Sequence, residues 1–258
     1  MTGAWVPRWW AVFAIGLAIW AAAVVAAYLT RDVLLLPTVV IYGSFLVPVT
    51  AVVWYLDHDP SPALSSRRVL GAFIVAGAVG VLAASLLEYR LVGSGLLGNL
   101  EVGLIEEFVK AVLIAFMAFG ITSFRTRDGM VLGAAVGFGF AALESSGYAL
   151  VSLLVVQGNH LFLSLDSLVT TELVRGVLAP FGHGMWSAIV GGAIFAAARH
   201  GGHLRLAWTV VAAYLAVAVL HAAFDATGSI VGYAVVSLVG LVPLVWMWRR
   251  ADRAARTE

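Results

Sequence analysis

The chain has 258 residues, of which 62% are hydrophobic and only 11% are charged, and its formal net charge is +1. A soluble domain of this length usually carries about twice that share of charge, and a near-neutral chain with its basic residues in loops excludes nucleic acid as a partner. The chain has no cysteine, so disulfides and thiolate chemistry are excluded, and any metal site must use His, Asp or Glu.

Apolar runs of about 20 residues recur along the chain, and each is long enough to cross a bilayer as a helix. Because the runs are continuous and not alternating, they exclude a transmembrane β-barrel. We expect no cleavable signal peptide, since the first run is longer than a signal h-region. The predicted fold class is all-α, a polytopic membrane bundle forming a single integral membrane domain over 1–258. The eight predicted spans are 9–29, 33–56, 69–87, 102–121, 130–156, 178–198, 206–224 and 229–248.

The distribution of basic residues predicts the orientation. Eleven of the fifteen Lys and Arg residues lie in the N-terminus, the even-numbered loops and the C-terminal tail, and three lie in the odd-numbered loops. The positive-inside rule therefore predicts that both termini are cytoplasmic, and we expect the membrane to be a prokaryotic cell membrane. The C-terminal tail from Trp246 onward predicts an anchor at the membrane interface. Its cytoplasmic arginines are Arg249, Arg250, Arg253 and Arg256.

The predicted external loop 157–176 has apolar residues at roughly helical spacing, from Leu161 to Leu173. This spacing predicts an amphipathic helix on the outer surface, which either packs against the bundle or gates the entry of substrate. Glu172 and Arg175 in this loop are three residues apart and are expected to pair with each other.

Ionisable residues interrupt four consecutive predicted spans, although each costs roughly 2.5–3.5 kcal/mol inside a bilayer. With the predicted topology, all of them fall in the outer half of the membrane, so we predict that they form one site there. Small residues upstream of Glu144 are expected to allow close helix approach; these are Gly133, Gly137 and Gly139. The ionisable residues are Glu106, Glu107 and Lys110, then Glu144, then His183, and finally His221 with Asp225.

The helical spacing of these residues predicts specific pairs. Lys110 lies four residues after Glu106 and three after Glu107, so it can pair with either carboxylate. Two carboxylates in unlike environments suit acid–base chemistry. His221 and Asp225 are one turn apart on one helix face, so the carboxylate either orients the imidazole or shares a metal with it.

Four motifs on successive spans carry a family resemblance: Glu106-Glu107-Phe-Val-Lys110, Phe140-Ala-Ala-Leu-Glu144, His183-Gly-Met-Trp-Ser187 and His221-Ala-Ala-Phe-Asp225. In this order they resemble the PrsW family of intramembrane metalloproteases, within the wider group of CAAX-type prenyl-protein and bacteriocin-processing proteases. The resemblance covers about 54–226 and departs from the family pattern at Ser145, where Asn is expected. It implies hydrolysis of a peptide bond in a membrane-anchored protein near the outer surface, as in the cleavage of an anti-sigma factor.

Two mechanisms fit these residues. In the first, Glu106 or Glu107 is the general base, and His183 and His221, with Glu144 or Asp225, bind a divalent metal such as zinc. Two histidines and one carboxylate leave an open position for the attacking water. Lys110 would tune the glutamate pair.

The second mechanism needs no metal. A glutamate and Glu144 would hold the water, while His221 and Asp225 would stabilise the oxyanion.

Two other classes of protein also place ionisable residues in membrane helices. A proton-coupled transporter would use such carboxylates and histidines, but it more often shows inverted repeats around a midplane site. A bis-His haem electron carrier would use His183 and His221, but it would leave both glutamates and Lys110 without a role.

Overall fold

The computed structural model describes residues 8–58, 61, 63–93, 95, 97–199 and 201–255. This part of the chain is almost entirely helical, which confirms the predicted all-α polytopic membrane fold. Arg256 of the predicted tail anchor lies outside the described residues. The helices are α1 (Trp9–Thr30), α2 (Leu36–His58), α3 (Ser66–Val75), α4 (Val81–Leu91), α5 (Gly98–Met117), α6 (Thr126–Leu153), α7 (Leu165–Leu178), α8 (His183–Ala198), α9 (Trp208–Ala226) and α10 (Ile230–Ala255).

Short helical turns of other types join some of these elements. A 3₁₀ turn at Val33–Leu35 precedes α2, a π-helical turn at Ala76–Gly80 joins α3 to α4, and a 3₁₀ turn at Ala179–Phe181 joins α7 to α8. The first two continue directly into the following helix, whereas Gly182 separates the third from α8.

Seven helical segments among the described residues are long and apolar enough to cross a membrane. We count α5 as the eighth span, because its 20 residues rise about 30 Å, the thickness of the hydrocarbon core. It is not among the seven because it carries the charges of the predicted site. The seven segments are Trp9–Thr30, Val33–His58, Ser66–Leu91, Thr126–Leu153, Leu165–Ala198, Trp208–Ala226 and Ile230–Arg253.

The segment after α6 differs from the sequence prediction. The helix ends at Leu153, and the chain then forms a two-stranded hairpin of β1 (Leu154–Gln157) and β2 (His160–Leu163). Gly158 opens the two-residue turn with a φ of +61°, a conformation that favours glycine in tight hairpins. The predicted helix of this loop is present as α7, which begins at Leu165 because the hairpin occupies the start of the loop.

By its internal contacts the chain divides into two compact units. The first comprises Met1–Asp59 and Ala141–Pro180. Its core is apolar, and buried Glu172 on α7 accepts a hydrogen bond of 2.9 Å from the Ser44 hydroxyl on α2. Arg175, the expected partner of Glu172, forms an ion pair with Glu144 at 2.8 Å. The core residues are Ala23, Val39, Val40, Ala149, Leu153 and Leu168.

The second unit comprises Pro60–Phe140 and Phe181–Glu258. Close backbone approach holds its helices together. At Gly103 of α5, a Cβ atom would lie 2.7 Å from the Ala218 carbonyl oxygen of α9. Gly137 of α6 lies against the carbonyl of His183, at the start of α8. The predicted role of small residues is therefore confirmed, and it fixes the spacing of the helices that carry the ionisable side chains.

The end of α5 is anchored in the same unit. Arg68 at the start of α3 donates hydrogen bonds of 2.8 and 2.9 Å to the carbonyl oxygens of Met117 and Phe119. These carbonyls lie at the C-terminal end of the helix, where the last turn lacks partners of its own. A cation at this position also complements the helix dipole.

Candidate active site

The second unit brings six of the seven predicted site residues together from three helices. Glu106, Glu107 and Lys110 lie in the first half of α5. His183 is the first residue of α8, and His221 and Asp225 lie near the end of α9. The site residues lie near the start of α5 and of α8 and near the end of α9, so these side chains share one level of the second unit.

Lys110 is completely buried and lies at the centre of this group. Its Nζ is 2.7 Å from Glu107 Oε1 and 3.3 Å from Glu106 Oε2, so both predicted pairings are present. Nζ also donates to His183 Nδ1 at 2.7 Å and lies 4.4 Å from the centre of the Phe140 ring. Since an ammonium group can only donate, His183 Nδ1 is the acceptor and carries no proton.

His221 is held between carboxylates. Its Nδ1 donates a hydrogen bond of 2.9 Å to Glu107 Oε1, while its Nε2 lies 3.2 Å from Asp225 Oδ2 and 3.7 Å from Glu106 Oε2. A neutral ring with its proton on Nδ1 would direct the Nε2 lone pair at two carboxylates. A proton or a metal cation is therefore needed at that point.

Trp186 fixes the plane of the His221 ring. The two rings stack with centroids 4.8 Å apart at 28°, and Trp186 also meets His183 edge-on at 5.5 Å. Sequence reasoning did not single out Trp186, although it lies one turn after His183 in the same motif. The signal available in the sequence was an indole side chain three residues after a histidine of the motif.

The ligand atoms of Glu106, His183 and His221 all lie within 4.8 Å of one another. His183 Nδ1 and His221 Nε2 are 3.8 and 3.7 Å from Glu106 Oε2. A tetrahedral zinc ion with bonds of 2.0–2.2 Å would separate its ligand atoms by about 3.4 Å, so these two spacings need changes of only a few tenths of an ångström.

An orphaned polar atom beside this group also fits a cation. Among the described residues, Glu107 Oε2 is buried and has no hydrogen-bond partner. Together with the imidazole and carboxylate donors, it makes the second unit a suitable place for a divalent metal.

Glu144, the seventh predicted site residue, does not belong to this group of three ligands. It lies on α6 in the first unit, where its Oε2 accepts a hydrogen bond of 2.8 Å from Arg175 of α7. Arg175 Nε also donates to the Ser145 hydroxyl at 2.8 Å, and its guanidinium lies 4.2 Å from the centre of the Tyr148 ring. The predicted ligands His183 and His221 converge with Glu106, and the ligand role of Glu144 stays a prediction.

His183 and His221 also bear on the haem alternative. Their rings meet directly, with centroids 5.0 Å apart at 78°. A macrocycle ligated by both imidazoles would have to lie between them, and Trp186 and Lys110 occupy the adjoining space. This geometry does not suit a bis-His haem.

Comparison with known proteins gives a consistent result. A family model described as PrsW family intramembrane metalloprotease matches residues 59–248, a range that contains all seven predicted site residues. The protein Protease PrsW of Halalkalibacterium halodurans is 27% identical over 165 residues, which cover 61% of this chain and 68% of that protein. No solved structure matches the chain at a significant level.

Proposed function

The chain belongs to the PrsW family of intramembrane metalloproteases, and we propose that it hydrolyses a peptide bond of a membrane-anchored protein at the group formed by Glu106, His183 and His221. Family membership makes it an integral membrane protease. One observation carries the assignment of the site: three side chains from three helices bring their ligand atoms to within 4.8 Å of one another.

In this proposal Glu106, His183 and His221 hold a divalent metal, and zinc suits two imidazoles and one carboxylate with a position left open for water. When bound, the metal would polarise the scissile carbonyl and lower the pKa of a coordinated water. Of the two glutamates predicted as alternative bases, Glu106 is then a ligand. Glu107 is completely buried, with Oε1 already engaged by His221 and Lys110, so it positions His221.

Asp225 is then the carboxylate available for proton transfer. Its side chain is 37% exposed, whereas those of Glu106 and Glu107 are at most 8% exposed. A water at the accessible side of the site can give its proton to Asp225 as it attacks the scissile carbonyl. The proton then passes to the leaving amine. Lys110 keeps the two glutamates in place by balancing their charge.

A metal-free mechanism at the same site has one observation in its favour. Lys110 Nζ uses the lone pair of His183 Nδ1 that a metal would need. In that mechanism Glu106 is the general base that holds the water, and His221 with Asp225 stabilises the oxyanion. The metal content of the protein separates the two mechanisms.

We further propose that the protease core covers about 54–226, that cleavage occurs near the extracytoplasmic face of a prokaryotic cell membrane, and that both termini are cytoplasmic. The shared level of the site residues and the bias of Lys and Arg between the loops support this arrangement. A membrane-anchored protein of the anti-sigma-factor type is the substrate that the family resemblance suggests.

The test is to purify the full chain in detergent without chelator and to measure bound metal by mass spectrometry. Wild type is expected to hold about one zinc per chain, as a three-ligand site should. Glu106→Gln, His183→Ala and His221→Ala should lose it, whereas Asp225→Asn should keep it. Glu101→Gln is the matched control, because this glutamate lies on α5 outside the group and accepts from the Gly93 amide.

Cleavage is read from new protein N-termini in membranes of cells that express each variant. All four site variants should lose at least about 100-fold in cleavage, the usual contribution of a catalytic acid or base, while Glu101→Gln should remain active. A folded wild type that cleaves without bound metal would establish the metal-free mechanism. Cleavage by Asp225→Asn at the wild-type rate would remove Asp225 from the role of base.

A further inference from the structure

The last helix presents a cleft that the proteolytic site does not use. This cleft is an open surface groove of about 730 Å³ along one side of α10, in the second unit, and its lining residues all belong to that helix. Its apolar wall includes Leu238, Val242 and Trp246, whose exposed fractions are 63%, 70% and 58%. In an integral membrane protein, large apolar side chains with such high exposed fractions lie on the surface that faces lipid.

The opposite side of α10 is the one that packs. Gly240 lies against Met185 of α8, and Met247 lies close to Gly192 of the same helix. The Trp248 ring is covered by the guanidinium of Arg127 at 4.2 Å. The cleft is therefore the outward face of a helix whose inner face is already occupied.

The apolar wall continues directly into a cluster of arginines. Leu238, Val242, Trp246, Arg249 and Arg253 follow at intervals of three or four residues, so they form a single stripe along the helix. From Leu238 to Trp246 the stripe rises about 12 Å, close to the 15 Å depth of one leaflet's hydrocarbon. Trp246 then lies where aromatic residues usually mark the membrane interface.

The charge at the end of the stripe is strongly positive. Arg249, Arg250 and Arg253 are all exposed and line the cleft, and Arg250 lies 5.2 Å above the Trp246 ring. Asp252, which lies among these arginines in sequence, is paired with Arg127 at 2.9 Å. The cleft thus offers guanidinium groups where a phosphate would lie.

We propose that this cleft binds an anionic phospholipid, with an acyl chain along Leu238 and Val242 and the phosphate held by Arg249, Arg250 and Arg253. Arginine suits this role because its planar fork donates two parallel hydrogen bonds to phosphate oxygens. A partner helix fits less well, since helix contacts in membranes favour small residues and this wall is built of Leu, Val and Trp. The site is separate from the proteolytic group and does not depend on it.

The experiment is native mass spectrometry of the delipidated full chain, titrated with phosphatidylglycerol or with phosphatidylcholine of the same acyl length. The triple variant Arg249→Gln, Arg250→Gln, Arg253→Gln should bind phosphatidylglycerol at least about tenfold more weakly, since each basic residue near an anionic lipid contributes roughly fivefold in affinity. A triple Lys variant at the same positions should bind more tightly than the Gln triple but more weakly than wild type, because it keeps the charge and loses the paired donors of the guanidinium. Wild type should prefer phosphatidylglycerol to phosphatidylcholine.

The matched control is Arg8→Gln, Arg67→Gln, Arg125→Gln, which removes the same charge from three other exposed arginines. It should leave binding unchanged, and the thermal transition of every variant shows that it is folded. Equal losses in both Gln triples would overturn the proposal in favour of general charge attraction. Full displacement of phosphatidylglycerol by glycerol 3-phosphate would overturn it in favour of a free-anion site, and equal binding of phosphatidylcholine would remove the role of the arginines.

Discussion

Glu107 Oε1 accepts a hydrogen bond of 2.9 Å from His221 Nδ1, although 114 residues separate the two in sequence. Neither side chain is more than 2% exposed. Helix spacing had predicted Asp225 as the partner that orients this imidazole, and Asp225 does lie beside its other nitrogen, at 3.2 Å. The buried glutamate fixes the ring from the interior, which leaves Nε2 directed toward Glu106 and the accessible side of the site.

We expect Glu107→Gln to weaken zinc binding by about 10- to 100-fold, the usual effect of altering the carboxylate behind a ligating histidine. At saturating zinc the variant should still hold the full complement, because the three proposed ligands remain. Competition with a chelating dye measures the affinity, and Glu101→Gln serves as the matched control. Wild-type affinity in Glu107→Gln would show that the hydrogen bond to His221 does not position a ligand.

Removal of the buried Lys110 cation should strongly destabilise the metal-free protein. Lys110→Met leaves Glu106 and Glu107 without their shared counter-charge, and breaking a buried ion pair costs about 3–5 kcal/mol. Saturating zinc should restore more thermal stability to this variant than it adds to wild type, because it supplies positive charge at the same place. Unfolding followed by tryptophan fluorescence, with and without zinc, measures both effects.

Arg67→Met is the control for this experiment, since Arg67 is an exposed basic residue of the same unit. It should change stability by no more than about 0.5 kcal/mol. Equal stabilisation of wild type and Lys110→Met by zinc would contradict the idea that the metal and the ammonium neutralise the same carboxylates.

We expect Glu144 and Arg175 to contribute to cleavage through the ion pair that they share. If Glu144 works through its ion pair, then Glu144→Gln, Arg175→Gln and the double variant will reduce cleavage to a similar extent, and all three will keep bound metal. If Glu144 instead ligates the metal, as the sequence first suggested, Glu144→Gln alone among the single variants will lose it. Metal content and cleavage measured on the three variants decide between these roles.

At the close contact between α5 and α9, Gly103 should not tolerate replacement by a residue with a side chain. In Gly103→Ala the new Cβ would lie 2.7 Å from the Ala218 carbonyl oxygen and 3.4 Å from His221 Cβ. We expect a loss of about 1–3 kcal/mol of stability, together with reduced cleavage as His221 shifts. Gly147→Ala is the matched control, because it adds the same methyl group to a helix where nothing lies within 4 Å. Equal thermal transitions in the two variants would refute the packing argument.

The sequence predicted the helices and the main group well because both rest on strong local signals. Long apolar runs are required of any membrane helix, and the cost of burying Glu106, Glu107 and Lys110 among them requires compensating partners. The intervals of three and four residues on α5 predicted both carboxylate contacts of Lys110, which the structure confirms.

Contacts between distant segments were harder to predict. Glu144 looked like a ligand because it is an acidic residue in a membrane span, yet its carboxylate contacts Arg175, 31 residues away. The hairpin after Leu153 was also missed, since apolar strands and the end of an apolar helix share the same composition. Trp186 has no charge to mark it, so only the three-dimensional stack on His221 reveals its role.

The order of synthesis gives the charges of α5 a further consequence. This helix leaves the ribosome with four ionisable residues, while His221, the partner of Glu107, follows 114 residues later. At 5–20 residues per second that interval lasts on the order of 10 s. During that interval Lys110 is the basic residue within α5 that can offset the charge of Glu106 and Glu107, and the arrival of α9 supplies the imidazole partner of Glu107.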